Sequence, residues 1–508
     1  MATATIGWRL ILAALFVGAC AVATIVIVPI HTGQVGFDTA ASVVYFDRIT
    51  GGRTLEASLT ATPKPLVTLL AGVLHTVTDD WRPISWATIA AFASAAVLAA
   101  VLVRRLAGAL PGIAAGVAVV AATTLLSDVA LSYAVAWALV GWLLAGLAIT
   151  SSRPRYGLAG VALGVAALAR FETLLVVALA GLVLVLGLVP ALRRRGLAPP
   201  RDAWLVLLAL LAIPIQALHD LLLTGDPLYS YSVPVAASAG APLVGPLGVV
   251  QMLGARYAPL APVVVVAVIG LAVLVRDRAW GILVGLVALG PGVAAFLVWL
   301  AARDVYVSSR YPLPIDTAVL LAAAIGLAGL RPSERLPVPR WLDGAGLAGD
   351  GLSPGRVVAA ILIGIAVAAP LTVVDRLWFS SIRSDLRLHL NADTVRPVLA
   401  GAVAETSGSI ATGEPTLIGP VLLRPQLAVD LDLPLTIVGS IDGTGLPTGS
   451  GMTVGQVVYH DRQDDRAHPA LAALEVTVPT RVGPWWYVPI AVDETAGYWV
   501  LRVSASPG

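Results

Sequence analysis

Five charged side chains stand where an apolar chain has least reason to keep them. Asp38 follows the first long apolar run, in Gly36-Phe37-Asp38-Thr39-Ala40. Lys64, in Thr62-Pro63-Lys64-Pro65-Leu66, is the only lysine in the chain; every other basic side chain is Arg. Arg170 and Glu172 flank Phe171 between two apolar runs, and Arg310 with Tyr311 opens a later one. A carboxylate can take the proton of a hydroxyl nucleophile. Arg and Lys can hold an anionic phosphate, the first as a planar fork and the second as a compact charge. Charged residues at the ends of apolar runs are functional candidates by default.

Each residue also has a plainer use. Asp38 can cap the helix that follows it, and Lys64 can snorkel to headgroups. Arg170 and Glu172 can pair with each other, and Arg310 with Tyr311 can anchor the chain at the interface. Asp47 reads as structural. Asp128 precedes Val129 and can cap a helix, while Asp226 in Gly225-Asp226-Pro227 is a good turn former. Asp128, Asp226 and Glu172 are therefore secondary candidates. His219 beside Asp220 lies at the end of an apolar run. The six histidines show no ligand spacing, and no Ser/His/Asp set, P-loop or dinucleotide fingerprint is readable.

The elements that must position these residues follow from composition. The 508 residues are 58% hydrophobic and 12% charged, with mean hydropathy +0.89. A soluble domain is about one quarter charged. The apolar runs reach about 20 residues, enough to cross a bilayer. In hydrocarbon they must be helices, because every backbone group needs an internal partner, and they lack the alternation of barrel strands. Spans are predicted near 8–30, 84–103, 107–126, 130–150, 156–170, 173–192, 203–222, 257–275, 280–300, 313–330 and 357–374. The fifth is short, and can be tilted, re-entrant or fused with the sixth.

With the N-terminus inside, the connections holding Arg104 and Arg105, Arg153 and Arg155, Arg193 to Arg195 with Arg201, Arg276 and Arg278, and Arg331 to Arg356 all fall on the inner side. Segments 31–83, 219–256 and 301–312 then lie outside. Cys20 is the only cysteine, which excludes an intramolecular disulfide. Val17-Gly18-Ala19-Cys20 loosely resembles a lipoprotein cleavage box, but the apolar run continues through Ile30 and reads as an uncleaved span. A net charge of +2 gives no sign of a nucleic-acid partner.

Beyond Asp375 charges return and apolar runs shorten to strand length. Helices are predicted near 383–405 and 421–432, and strands at Ser409–Gly413, Leu435–Gly439, 455–460, 474–480, 485–492 and 498–504. The predicted fold is a polytopic α-helical membrane protein of about eleven transmembrane helices (1–374, with the outer loop 31–83), followed by an extracytoplasmic α/β domain (375–508).

An acidic residue after the first span, then Lys64-Pro65-Leu66, a bundle of spans and an outer C-terminal domain resemble the GT-C glycosyltransferases. The nearest branches are the protein O-mannosyltransferase and aminoarabinose-transferase types. Leu168-Ala169-Arg170-Phe171-Glu172 resembles their Arg-Pro-Glu element, with Phe171 in place of Pro. Leu223-Thr224-Gly225-Asp226-Pro227-Leu228 resembles a Gly-Asp-Pro-Leu loop, and Arg310-Tyr311-Pro312-Leu313-Pro314 resembles an Arg-Tyr-x-Leu-Pro element. The abundance of Arg, Ala, Gly and Val fits a GC-rich genome and an actinobacterial type. The resemblance implies transfer, with inversion, of a sugar from a polyprenyl phosphate to an envelope glycan, lipid or protein at the outer face of the plasma membrane. It implies Asp38 as the base, and Lys64, Arg170, Arg310 and Tyr311 at the donor phosphate. Some members bind a divalent cation, for which Asp38, Asp128 and Glu172 offer oxygens. The rivals are a transporter or flippase of an envelope precursor, which would show repeats and midplane sites, and an inactive GT-C-like scaffold.

Overall fold

The computed structural model describes residues 6–27, 35–51, 62–187, 204–230, 232, 245–305, 307, 311–329, 351–374, 394–406, 417–420, 423–431, 438–441, 456–461, 475, 477–482, 485–495 and 498–506. The helices run in chain order as α1 (Trp8–Ile27), α2 (Phe37–Gly51), α3 (Pro65–Thr78), α4 (Arg82–Ala107), α5 (Ala109–Ala121), α6 (Thr123–Ala130), α7 (Val135–Ile149), α8 (Tyr156–Ala169) and α9 (Thr173–Gly187). They continue as α10 (Trp204–Leu210), α11 (Ala212–Thr224), α12 (Pro246–Tyr257), α13 (Ala261–Arg276), α14 (Trp280–Val287), α15 (Val293–Ala301), α16 (Leu313–Gly329) and α17 (Pro354–Val374). Beyond them come α18 (394–406) and α19 (Arg424–Asp430). A π-turn, Ala288–Gly292, with Pro291 inside it, joins α14 to α15.

Each predicted apolar segment is helical over most of its described length, and not every one is a single long helix. Among the described residues five helices are long and apolar enough to cross a membrane, or up to seven if each bent pair is one span. The bent pairs are α5 with α6, at 50°, and α12 with α13, at 95°. Others are shorter apolar helices, such as α7 with 15 residues and α8 with 14. Polar breaks shorten them. The predicted fifth and sixth spans are not fused, because Arg170-Phe171-Glu172 interrupts the helix between α8 and α9.

Small residues set the closest helix contact. A Cβ on Gly270 of α13 would lie 1.9 Å from the Ala322 carbonyl oxygen, and one on Gly326 of α16 would lie 2.0 Å from that of Val266. Lipid tails supply no hydrophobic drive between helices, so such close backbone packing holds them together.

Among the described residues, the basic connections gather at one end of the bundle. Strand β1 (Ile6–Gly7) pairs antiparallel with β2 (Gly351–Leu352). The Arg104 guanidinium lies 4.3 Å from the centroid of Trp8. Arg105 donates to the Leu147 carbonyl at 2.9 Å. The start of α14 sits on the end of α7, where a Cβ on Gly281 would be 2.8 Å from Ile149.

Strands β3 (Leu417–Pro420), β4 (Val438–Ile441), β5 (Val457–Asp461), β6 (Thr480–Val482), β7 (Trp485–Asp493) and β8 (Tyr498–Ser504) form one mixed sheet in the order β4-β3-β5-β8-β7-β6. β3 is parallel to β4 and β5, and the remaining pairs are antiparallel. α19 lies in the crossover from β3 to β4, as a parallel pair requires. The predicted strand 409–413 lies outside the described residues. Strand 474–480 is corrected to Thr480–Val482, because residues 477 and 478 form a bend. β3 was not foreseen: its four residues end in Gly419-Pro420, and Pro cannot donate to a ladder. One core runs from this sheet into the bundle. Leu417, Leu427, Val457, Tyr459 and Val500 pack with Ala41 and Tyr45 of α2 and Leu223 of α11. Beside it the Trp81 indole donates to Asp430 at 2.8 Å.

Candidate active site

Asp38 sits in the first turn of α2, where an acid favours the positive end of the helix dipole. The turn after α6 fixes that start. The Gly36 N–H donates to the Leu131 carbonyl at 2.8 Å, and the Thr39 hydroxyl donates to the Ser132 carbonyl at 2.9 Å. Ser132 has φ +55°, in the left-handed region. A Cβ on Gly36 would meet the Tyr133 ring at 2.6 Å, so a larger residue there would have to push that ring aside.

Lys64 is the extended N-cap residue of α3, with Pro65 at the first helical position, where a missing N–H costs nothing. Its ammonium pairs with Asp38 at 2.9 Å, and the two side chains are 21% and 25% exposed. The sequence places these residues far apart; the packing of α3 on α2 brings them together.

Arg170 is the extended cap of α8. It binds both carboxylate oxygens of Glu172, at 2.8 and 3.3 Å, and lies 3.9 Å from Asp128. Asp128 is buried inside α6 rather than capping it. Burial pushes the Glu172 carboxyl up, but the Arg170 guanidinium, with help from Lys64, reverses this and holds it below the usual range. The field of Lys64 at Glu172 links the two ion pairs into one cluster of Asp38, Lys64, Asp128, Arg170 and Glu172. Their formal charges sum to −1, from three acids and two bases.

Of the other predicted residues, Tyr311 and Asp226 lie elsewhere. Arg310 is outside the described residues. Tyr311 packs in an apolar cluster with Val249, Leu297 and Ile315. Asp226 shapes its own turn, accepting from the Leu228 N–H at 2.9 Å after Gly225 at φ +80°. The three carboxylates proposed for a cation turn instead to Lys64 and Arg170. Among the described residues no three His, Cys, Asp or Glu side chains group as a metal site would.

Two buried networks were not read from the sequence as part of a site. In the first, Asp220 accepts from Gln216 at 2.9 Å and from the Ser230 hydroxyl and N–H at 2.7 and 2.9 Å. The Gln216 amide also reaches Ser230 Oγ at 2.8 Å and the Pro63 carbonyl at 3.3 Å, next to Lys64. His219, Nδ1 3.6 Å from Asp220, has no hydrogen-bond partner on either ring nitrogen among the described residues. In the second, Arg256 of α12 forks onto Asp316 of α16, which also accepts from the Tyr257 hydroxyl at 2.7 Å. The available signals were Gln216 and Asp220 four apart on an apolar helix, and Asp316 inside an apolar run.

No family model matches the sequence, and neither does any curated protein. Among solved structures, the chain resembles ArnT from Cupriavidus metallidurans bound to undecaprenyl phosphate, with TM-score 0.52 and 14% identity over 96% of this chain and 97% of that one. The apo form of the same ArnT gives TM-score 0.47 and 16% identity, covering 98% of each chain. The Archaeoglobus fulgidus oligosaccharyltransferase in complex with zinc and sulfate gives 0.44 and 10%, over 82% of this chain and 61% of that one. The first likeness shows a shared fold. The chain is a polytopic membrane protein with a GT-C-type fold.

Proposed function

We propose that this protein is a membrane glycosyltransferase using a polyprenyl-phosphate sugar, with its cluster of Asp38, Lys64, Asp128, Arg170 and Glu172 as the active centre. The observation that carries this reading is the convergence of those five residues from four separate segments at one end of a GT-C-type bundle. In a bundle serving only to span the membrane, such charges are expensive.

In this scheme Asp38 takes the proton of an acceptor hydroxyl. The acceptor oxygen attacks the anomeric carbon, the bond to the phosphate oxygen breaks, and the electron pair leaves with the polyprenyl phosphate. One displacement inverts the anomeric centre. Lys64, partly exposed beside Asp38, meets the phosphate. Arg170 orients Glu172 and adds positive charge to the centre. A cluster with net charge −1 needs a further cation to hold an anion, a role this reading gives to Arg310. The acceptor class is a glycan, lipid or protein of the cell envelope. The positive-inside rule puts the basic end of the bundle in the cytoplasm, with the N-terminus. The cluster and the unit from 375 to 508 then face outward from the plasma membrane, above the membrane unit 1–374.

The test is transfer by purified protein in lipid, across a panel of polyprenyl-phosphate sugars, for wild type, Asp38→Asn and Lys64→Ala. Loss of a general base costs about 10²–10⁴ in rate. The Asp38–Lys64 pair is partly solvated and contributes about 1 kcal/mol or less to stability. Asp38→Asn should therefore be folded and inactive. Transfer by Asp38→Asn at the wild-type rate removes the proposed base. A folded wild type that neither binds nor transfers any donor removes the enzyme reading.

A further inference from the structure

The helix that carries Asp38 is gripped from outside the bundle. On one side α2 packs against α3, which brings Lys64 to Asp38. On another, α19 packs on it. Ala41 and Tyr45 of α2 are buried in one core with Leu417 of β3, Leu427 of α19, Val457 of β5 and Val500 of β8. Leu223 of α11 closes the same core from the bundle, and the Arg48 Nε–H of α2 donates to the Leu223 carbonyl at 3.3 Å. The opposite face of the sheet makes a separate core of Val458, Tyr487, Trp499, Leu501 and Val503. Among the described residues that second core includes none from the bundle.

Tyr45 links that shared core to the cluster. It stands seven residues after Asp38. That is close to two turns, so both project from one face of α2, roughly 10 Å apart along its axis. Helical side chains lean toward the N-terminus, which turns the Tyr45 ring back toward Asp38. The ring is fully buried. Burial, and after it the fields of Tyr229, Asp38 and Asp220, push the phenol well above its ordinary value. The hydroxyl therefore stays protonated, a neutral donor that feels both the Asp38 cluster and the Asp220 network. Its ring is held by apolar packing that comes largely from the sheet and α19.

We infer that the sheet and α19 set the position of Asp38, and that Tyr45 is the positioning residue through which they do so. A core that spans two elements moves them together, because close-packed interiors transmit displacement instead of absorbing it. A shift of the sheet on the bundle is thus felt at Tyr45, and two turns along α2 it is felt at Asp38. The inference rests on the proposed active centre for what Asp38 does, but not for where it stands.

Lys64 supplies the readout, because it is the only lysine in the chain and pairs with Asp38. Acylation of the full chain in lipid by an amine reagent, followed by peptide mass spectrometry at Lys64, reports on that pair whether or not sugar is transferred. Tyr45→Phe removes the hydroxyl and keeps the ring. Leu427→Ala opens a cavity in the shared core, and Leu501→Ala opens one in the core on the opposite face. Leu427 is 1% and Leu501 0% exposed, so the two truncations should lower the melting temperature to a similar degree. Circular dichroism and a monodisperse elution profile confirm the fold of each variant. Expected are several-fold faster acylation of Lys64 in Tyr45→Phe and Leu427→Ala, and the wild-type rate in Leu501→Ala. In the transfer assay the first two should turn over at least about tenfold more slowly, with donor affinity unchanged, and the third at the wild-type rate. Wild-type acylation in Tyr45→Phe overturns the inference. So does undiminished turnover of Tyr45→Phe in an active enzyme. Equal rises in acylation in the two Leu variants also overturn it, since they would mark general loosening. A folded wild type that transfers nothing removes the transferase reading and leaves the acylation rates to decide this one.

Discussion

Asp220→Asn tests whether the buried network behind Lys64 sets the geometry of the cluster. The wild-type carboxylate accepts three hydrogen bonds, two on Oδ1 and one on Oδ2. The side chain is 2% exposed, so water cannot replace them. Asn keeps one acceptor oxygen and turns an amide N–H₂ toward donors. Whichever way it flips, Gln216 and the Ser230 hydroxyl, or the Ser230 N–H, then face a donor. The change removes at least one charge-assisted bond and strands one buried donor, together about 4 kcal/mol. The Gln216 amide, sharing two hydrogens among Asp220, Ser230 and the Pro63 carbonyl, loses its anchor. The Pro63-Lys64 segment then shifts. A displacement of about 1 Å at a reacting group costs on the order of 10²-fold in rate. Denaturant titration in mixed micelles measures the first quantity, and sugar transfer at saturating donor measures the second. Stability within about 0.5 kcal/mol of wild type would refute the hydrogen-bond count. A destabilised variant that transfers at the full wild-type rate would refute the positioning of Lys64 through Pro63.

Three further outcomes are expected. The Glu172 carboxyl is held below its ordinary value in the folded chain, so its contribution to stability is complete above about pH 4.5 and is lost as pH falls through the folded value. Glu172→Gln should flatten the acid limb of a stability-against-pH curve; superimposable limbs for the two proteins would contradict this. Asp316→Ala leaves the buried Arg256 guanidinium uncompensated and should cost about 3–5 kcal/mol, most of it recovered when Arg256→Met is combined with Asp316→Leu. A double variant as unstable as the single one would show that the pair is not the cause. Gly326→Ala forces a methyl into the Val266 carbonyl and should lower the melting temperature sharply, whereas Gly285→Ala meets open space and should leave it nearly unchanged. Equal shifts for the two would count against the close α13–α16 contact.

Part of this protein is determined by its sequence alone, because the bilayer leaves little choice. Runs of about 20 apolar residues can only be helices in hydrocarbon, and the Arg-bearing connections predict the end of the bundle at which they gather. Strands β5, β7 and β8 were readable for a similar reason: Val457–Asp461, Trp485–Asp493 and Tyr498–Ser504 carry the β-branched and aromatic residues of a half-buried surface. β3 was not, because its pairing is decided by its neighbours on both sides and not by Leu417-Ile418-Gly419-Pro420 itself. Asp38, Lys64, Arg170 and Glu172 stood out singly as costly charges in an apolar chain. Their grouping is a tertiary fact. Lys64 reaches Asp38 only because α3 packs on α2, and Arg170 reaches Asp128 only because α8 ends beside α6. The same holds for Asp220 with Pro63 and for Asp316 with Arg256, partners separated by long stretches of chain. Local propensity and hydropathy act within about one helix length. Which buried charge meets which is decided by helix packing, where the low dielectric makes an unpaired charge the costliest alternative.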